Sequence, residues 1–79
     1  MSVEERVSRV FVDEIGLEPS EVSPAATLKQ DLGIDSTELV ELMVALEKEF
    51  CMKVPDGVIR GDSTVNEIIH YFSSRTITQ

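Results

Sequence analysis

Ser36 is the side chain in this sequence that is best placed for chemistry. It closes the stretch Asp31-Leu32-Gly33-Ile34-Asp35-Ser36 and opens a strongly patterned acidic segment that runs to Phe50. The N-terminus of a helix offers unpaired N–H groups and the positive end of the helix dipole, and both suit a phosphate ester. A hydroxyl presented there by a glycine-bearing loop is therefore a candidate for carrying a phosphate-linked group. The alternative is ordinary capping, because serine and aspartate are both common at helix starts.

The other reactive residue types do not assemble into a catalytic or metal-binding pattern. Cys51 is the single cysteine, which excludes an intramolecular disulfide and a multi-cysteine metal site. His70 lies within a helical pattern and is a poor candidate for the base of a nucleophilic triad. Residues 31–42 superficially suggest a calcium loop, but Leu42 stands where that loop needs its bidentate glutamate. We expect no metal site and no enzymatic activity.

The composition indicates one small domain, residues 1–79, with an aliphatic core. Apolar residues make up 42% of the chain and aromatic residues 5%. No N-terminal stretch of this sequence has the pattern of a signal peptide, and no apolar run is long enough to cross a membrane. We therefore expect a cytoplasmic protein that does not insert into membranes, and a monomer. The net charge of −8 disfavours nucleic acid and favours partners with basic patches.

Helical spacing and end signals predict an all-α fold. Ser2 and Glu5 have the capping-box spacing, apolar residues then recur at helical intervals, and Gly16 follows the last of them. We predict a small four-helix bundle, made of three main helices and one short helix, with a long ordered loop between the first two helices. The predicted elements are a first helix over 3–15, the loop over 16–35, a second helix over 36–50, a short third helix over 56–61, a fourth helix over 64–73 and a frayed tail over 74–79.

The second predicted helix has an apolar face for the core and an unusual outer face. At about 100° per residue, Val40 and Val44 lie one turn apart on the side opposite the core, among polar residues. They either touch a neighbouring loop or form an apolar strip for docking partners, ringed by Glu38, Glu41 and Glu47. Residues 31–50 carry six carboxylates against one lysine, so the acidity is concentrated on this segment.

The motif ending at Ser36 resembles the D-L-G-x-D-S motif of acyl carrier proteins. The similarity extends over the helix from Glu41 to Phe50, the N-terminal Val3–Val7 segment, and the corners Val54-Pro55-Asp56 and Thr64-Val65, and thus over nearly the whole chain. An aspartate before the serine is more similar to acyl carriers than to peptidyl carriers, where histidine is common.

The resemblance implies a carrier with a 4′-phosphopantetheine arm, which we expect to be a discrete protein rather than a domain of a large synthase. The arm would derive from coenzyme A and be joined to Ser36, beside Asp35, by a phosphopantetheinyl transferase, and it would hold acyl intermediates as thioesters. Synthases and acyl-transferring enzymes of fatty-acid, polyketide or modified-lipid biosynthesis would be the partners. They would contact the outer face through Thr37, Glu38, Val40, Glu41, Val44 and Glu47.

Three departures from the family pattern suggest a specialised carrier: Thr37, Lys48 and Asp62. The competing interpretation is an acidic helical adaptor without a prosthetic group, in which Ser36 is only a helix cap.

Overall fold

The computed structural model of the protein describes residues 2–75, and within them the chain is helical with no strand. The first helix consists of an α-helical part, α1 (Val3–Val10), that continues directly into a π-helical turn, Phe11–Ile15. A 3₁₀ turn, Pro19–Glu21, lies in the connection to α2 (Ser36–Phe50), and α3 (Val65–Arg75) follows. The all-α prediction is confirmed at this level. The core is mostly aliphatic, as expected, but it also contains Phe11, Phe50 and Phe72.

The first helix begins and ends on local signals. Ser2 Oγ accepts a hydrogen bond from the Glu5 N–H at 3.1 Å, and the Glu5 carboxylate accepts one from the Ser2 N–H at 3.0 Å. Two groups of Ser2 lower the pKa of Glu5 below its ordinary value, because both stabilise the carboxylate. The hydrogen bond from the Ser2 backbone N–H has the larger effect, and the Ser2 hydroxyl has the smaller one. Gly16 ends the helix in the left-handed conformation, with φ of 83°. The helix therefore spans the predicted residues 3–15, with a π-helical last turn.

The core gathers apolar side chains from all three helices and from the loops between them. Phe50 at the end of α2 stacks on Phe72 of α3, with 4.3 Å between ring centroids. Arg6 of α1 lies over the Phe50 ring, and its Nε donates to Glu49 Oε2 at 2.9 Å. These contacts join the three helices at one end of the molecule, and the half-buried ion pair closes over the aromatic stack.

The connection between α1 and α2 is held by backbone hydrogen bonds to the segment that precedes α3. The Leu28 N–H donates to the Ser63 carbonyl at 3.0 Å, and the Val65 N–H donates to the Ala26 carbonyl at 3.0 Å. Leu28 and Ala26 are buried. Because both sides of the connection are tied in this way, the loop that leads to Ser36 has a fixed path across the core.

Residues 56–61, predicted as a short third helix, instead form turns and bends. Gly57 has φ of 90°, which interrupts a right-handed helix, and the Val58 N–H closes a single turn on the Pro55 carbonyl at 3.3 Å. Ile59 is buried and Val58 is partly buried against the core, so the segment packs on the core through two side chains without forming a helix.

The last helix extends past its predicted end at residue 73, and Ser74 and Arg75 are still helical. The remainder of the tail predicted to fray, residues 76–79, lies outside the described residues. None of the helices in the described part of the chain is long and apolar enough to cross a membrane.

Candidate functional site

Ser36 is the first residue of α2, and its side chain is exposed to solvent. Asp35, immediately before it, has extended backbone dihedrals (φ −85°, ψ 179°), and Gly33 has φ of 69°. A positive φ favours glycine, which explains why glycine occupies that turn. The loop thus bends at Gly33 and delivers Ser36 to the first turn of the helix.

The cap of α2 is Asp35, and Ser36 takes no part in it. Asp35 Oδ1 accepts a hydrogen bond from the Glu38 N–H at 2.8 Å, and Glu38 Oε1 accepts one from the Asp35 N–H at 3.2 Å. The Ser36 hydroxyl has no hydrogen-bond partner among residues 2–75. The capping interpretation of Ser36 is therefore wrong: Asp35 performs that task, and the adjacent hydroxyl is left available.

The loop is braced immediately before the serine. Asp31 Oδ2 accepts hydrogen bonds from the Thr27 N–H at 2.8 Å and from Thr27 Oγ1 at 3.1 Å. The Ile34 N–H donates to the Leu28 carbonyl at 2.9 Å, and the Ile34 side chain is only 3% exposed. With Ile34 anchored in the core, Asp35 and Ser36 are held at the surface.

The environment of Ser36 Oγ fits a phosphodiester. The backbone N–H groups of Ser36 and Thr37 have no acceptor within the described part of the chain. They lie at the positive end of a 15-residue helix, which favours an anion in its first turn. An exposed hydroxyl with free amides beside it can carry a phosphate ester without any rearrangement of the fold.

Comparison with known protein families identifies the family of the chain. A family model described as a phosphopantetheine attachment site matches residues 5–72, which is most of the chain. The chain belongs to the phosphopantetheine attachment site family. Domains of this family bear covalently bound 4′-phosphopantetheine, and membership implies that a phosphopantetheinyl transferase and biosynthetic enzymes are its general partners.

The outer face of α2 carries most of the residues expected to contact the partners of this family member. Thr37, Val40, Glu41 and Val44 are exposed. Val40 and Val44 are 55% and 42% exposed, and no other large apolar side chain of the described residues is as exposed. The two valines thus form an apolar strip one turn long that is partly open to solvent, and its use as a docking site for partners stays a prediction.

Two of the expected partner-binding carboxylates already have bonds within the protein. Glu38 is half-buried and belongs to the capping box of Asp35. Glu47 is also half-buried, and its Oε2 accepts a hydrogen bond from the Val54 N–H at 2.8 Å. Glu47 therefore fastens the segment that follows α2, a role that its place in the helical pattern did not reveal.

The structure adds residues to this face that the sequence analysis did not select. Glu14 and Ala45 line a groove of about 440 Å³ together with the valine strip. A second groove lies at the C-terminal end of α2, where the chain turns back after the helix. Neither has a signal in the sequence pattern, because each joins residues from different elements.

Proposed function

We propose that this protein is an acyl carrier whose arm is attached to Ser36. One observation supports the assignment: the Ser36 hydroxyl is exposed and unbonded while its neighbour Asp35 caps the helix. When bound, 4′-phosphopantetheine supplies a terminal thiol that holds acyl groups as thioesters. The cargo would be delivered to enzymes of fatty-acid, polyketide or modified-lipid biosynthesis, with the departures at Thr37, Lys48 and Asp62 favouring a specialised pathway.

In this proposal the protein presents the Ser36 hydroxyl to a transferase and contributes no catalytic group. With coenzyme A as donor, a transferase would form the bond between Ser36 Oγ and the phosphorus of the arm and break the pyrophosphate bond of coenzyme A. Adenosine 3′,5′-bisphosphate would leave, and the hydroxyl proton would pass to the transferase or to solvent. The free Ser36 and Thr37 amides would favour the resulting anion. Asp35 keeps the helix start intact without using the hydroxyl. No side chain of this protein is assigned a catalytic step, so we propose a carrier that is the substrate of other enzymes.

The partner enzymes are proposed to dock on the outer face of α2. Val40 and Val44 offer an apolar contact, and Thr37, Asp35 and Glu41 surround it with polar and acidic groups. Exposed ion pairs are individually worth only about 0–1 kcal/mol, so several of them speed encounter and still allow release. Glu38 and Glu47 add negative charge to this surface, but their hydrogen bonds within the protein leave them less free to reorient toward a partner.

Intact mass spectrometry tests the assignment of Ser36. Incubation with coenzyme A and a phosphopantetheinyl transferase is expected to add about 340 Da, the mass of the arm, to the wild type. Ser36→Ala is expected to gain nothing. Thr37→Ala is the matched control, because it removes the exposed hydroxyl of the adjacent residue and should still be modified.

Two results would contradict the proposal. One is a mass increase in Ser36→Ala, which would place the arm elsewhere. The other is an unmodified wild type after treatment with several transferases while circular dichroism shows a folded protein. That second result would favour an acidic adaptor that works without a prosthetic group.

A further inference from the structure

A groove at the C-terminal end of α2 is lined by two lysines, whereas the start of the helix carries carboxylates. It is an open depression of about 410 Å³. Its apolar lining, called the floor below, comes from Val44, Cys51 and Met52. Its charged lining, called the edge, comes from Glu47, Lys48 and Lys53. Val44 is 42% exposed, so the floor is open to a partner.

The groove exists because α2 ends abruptly. Cys51 adopts a left-handed conformation (φ 54°), and both its N–H and that of Met52, the latter at 3.2 Å, donate to the Glu47 carbonyl. The chain then folds back, so that Met52 and Lys53 line the same groove as the last turns of the helix. The bond from the Val54 N–H to the Glu47 carboxylate holds this return.

The edge of the groove is positively charged in a protein of net charge −8. Lys48 and Lys53 are exposed, and neither forms an ion pair with any residue between 2 and 75. Glu47, the carboxylate that lines the groove, is engaged by the Val54 N–H. A lysine in the last turn of a helix also complements the helix dipole, which accounts for Lys48 but not for Lys53 or the exposed apolar floor.

The lysines therefore lie at one end of the outer face of α2, where Lys48 and Lys53 stand against one groove carboxylate, Glu47. Asp35 and Glu41 lie toward the start, and Lys48 lies about 18 Å from Ser36 along the axis, from twelve residues at about 1.5 Å each. The exposed Val40 and Val44 lie between the two groups. A partner surface that is basic throughout would match the start of this helix and would meet like charge at its end.

We infer that this groove binds a segment of the partner enzyme that carries an apolar side chain flanked by carboxylates. The apolar side chain covers Val44 and Met52, and the carboxylates pair with Lys48 and Lys53. The inference rests on the proposed function, since the partner is the enzyme that acts on the arm at Ser36. The two lysines of this groove, about three turns from the exposed Asp35, then set the direction in which that enzyme lies along the helix, and they disfavour a basic segment in the groove.

The probe is a short peptide with blocked ends, in which leucine and phenylalanine are flanked by glutamates. The matched probe has lysines in place of the glutamates. Each is titrated into the ¹⁵N-labelled full chain at about 0.15 M salt, where a Debye length of about 8 Å screens the carboxylates outside the groove, and is followed by amide chemical shifts. We expect the glutamate peptide to bind about tenfold more tightly than the lysine peptide, as two exposed ion pairs allow, and to shift the amides of Val44, Lys48, Met52 and Lys53.

Lys48→Glu is expected to abolish this preference. Lys29→Glu is the matched control: Lys29 is also exposed, the change in net charge is the same, and Lys29 does not line the groove. It is expected to retain the preference. Equal affinity for the two peptides, or shifts confined to the start of α2, would overturn the inference. So would self-association in sedimentation that Lys48→Glu removes, because the occupant would then be a second copy of this chain.

The mass assay separates this inference from the proposed function. The wild-type protein used for the peptide titrations is also incubated with coenzyme A and a phosphopantetheinyl transferase and is expected to accept the arm on Ser36. Failure of the wild type to be modified would remove the proposed function, whatever the peptides show. Normal modification together with no preference between the peptides would overturn the groove inference alone.

Discussion

Replacing Asp35 with alanine is expected to destabilise the protein, whereas the same replacement at Ser36 is not. The Asp35 carboxylate accepts the Glu38 N–H at 2.8 Å, and the Ser36 hydroxyl has no hydrogen-bond partner among residues 2–75. Losing an N-cap costs about 1 kcal/mol of unfolding free energy, within a range of about 0.5–2. Alanine is the best helix former, so Ser36→Ala is expected to stay within about 0.5 kcal/mol of the wild type.

The size of the domain makes this difference measurable. For 60–100 residues, 1 kcal/mol shifts the Tm by about 4–8 °C. Thermal and urea unfolding of the unmodified protein, followed by circular dichroism, give the Tm and the urea midpoint of each variant. Asp35→Asn is the informative control, because asparagine caps as well as aspartate but lacks the charge that favours a helix N-terminus.

Two outcomes would refute the reasoning. If Ser36→Ala lowered the Tm as much as Asp35→Ala, the serine hydroxyl would be a structural group and would not be free for esterification. If Asp35→Asn were as unstable as Asp35→Ala, the effect of Asp35 would come from its charge rather than from the hydrogen bond to Glu38.

Two further predictions concern carboxylates with defined partners. Glu47→Ala removes the acceptor of the part-buried hydrogen bond from the Val54 N–H, so urea unfolding should show a loss of about 1–2 kcal/mol in unfolding free energy. Glu41→Ala, the control at an exposed site, should change the unfolding free energy by less than about 0.5 kcal/mol. Equal effects of the two replacements would contradict the bond between Glu47 and Val54. NMR titration of Glu5 should give a pKa below the ordinary glutamate value, because the Ser2 N–H and hydroxyl favour its carboxylate. A group with a depressed pKa in the folded state stabilises the fold above its unfolded pKa and loses this effect as the pH falls through the folded pKa, so the first turn should loosen only in acid. Ser2→Ala should move the pKa of Glu5 back upward, and a Glu5 pKa at its ordinary value in the wild type would contradict the capping box.

Local signals in the sequence were sufficient for most of the helical framework. Ser2, Glu5 and Gly16 act through hydrogen bonds and dihedrals within a few residues, so the limits of the first helix follow from the sequence. The segment 56–61 shows where such signals fail. Its two adjacent apolar residues fit one helical turn, but Gly57 and the burial of Ile59 decide in favour of turns.

The same holds for the functional site: some of its features could be predicted from the sequence, and others are decided only by the structure. The sequence by itself placed a hydroxyl and a carboxylate next to each other at the start of an acidic helix, but either side chain can cap. The burial of Ile34 and the extended backbone of Asp35 decide which one does. Likewise, the bond of Glu47 to Val54 and the groove formed by Lys48 and Lys53 depend on the left-handed turn at Cys51. Only the tertiary structure decides these features, because the residues involved lie on both sides of a turn at which the chain changes direction. The helical periodicity of the sequence does not predict contacts across such a turn.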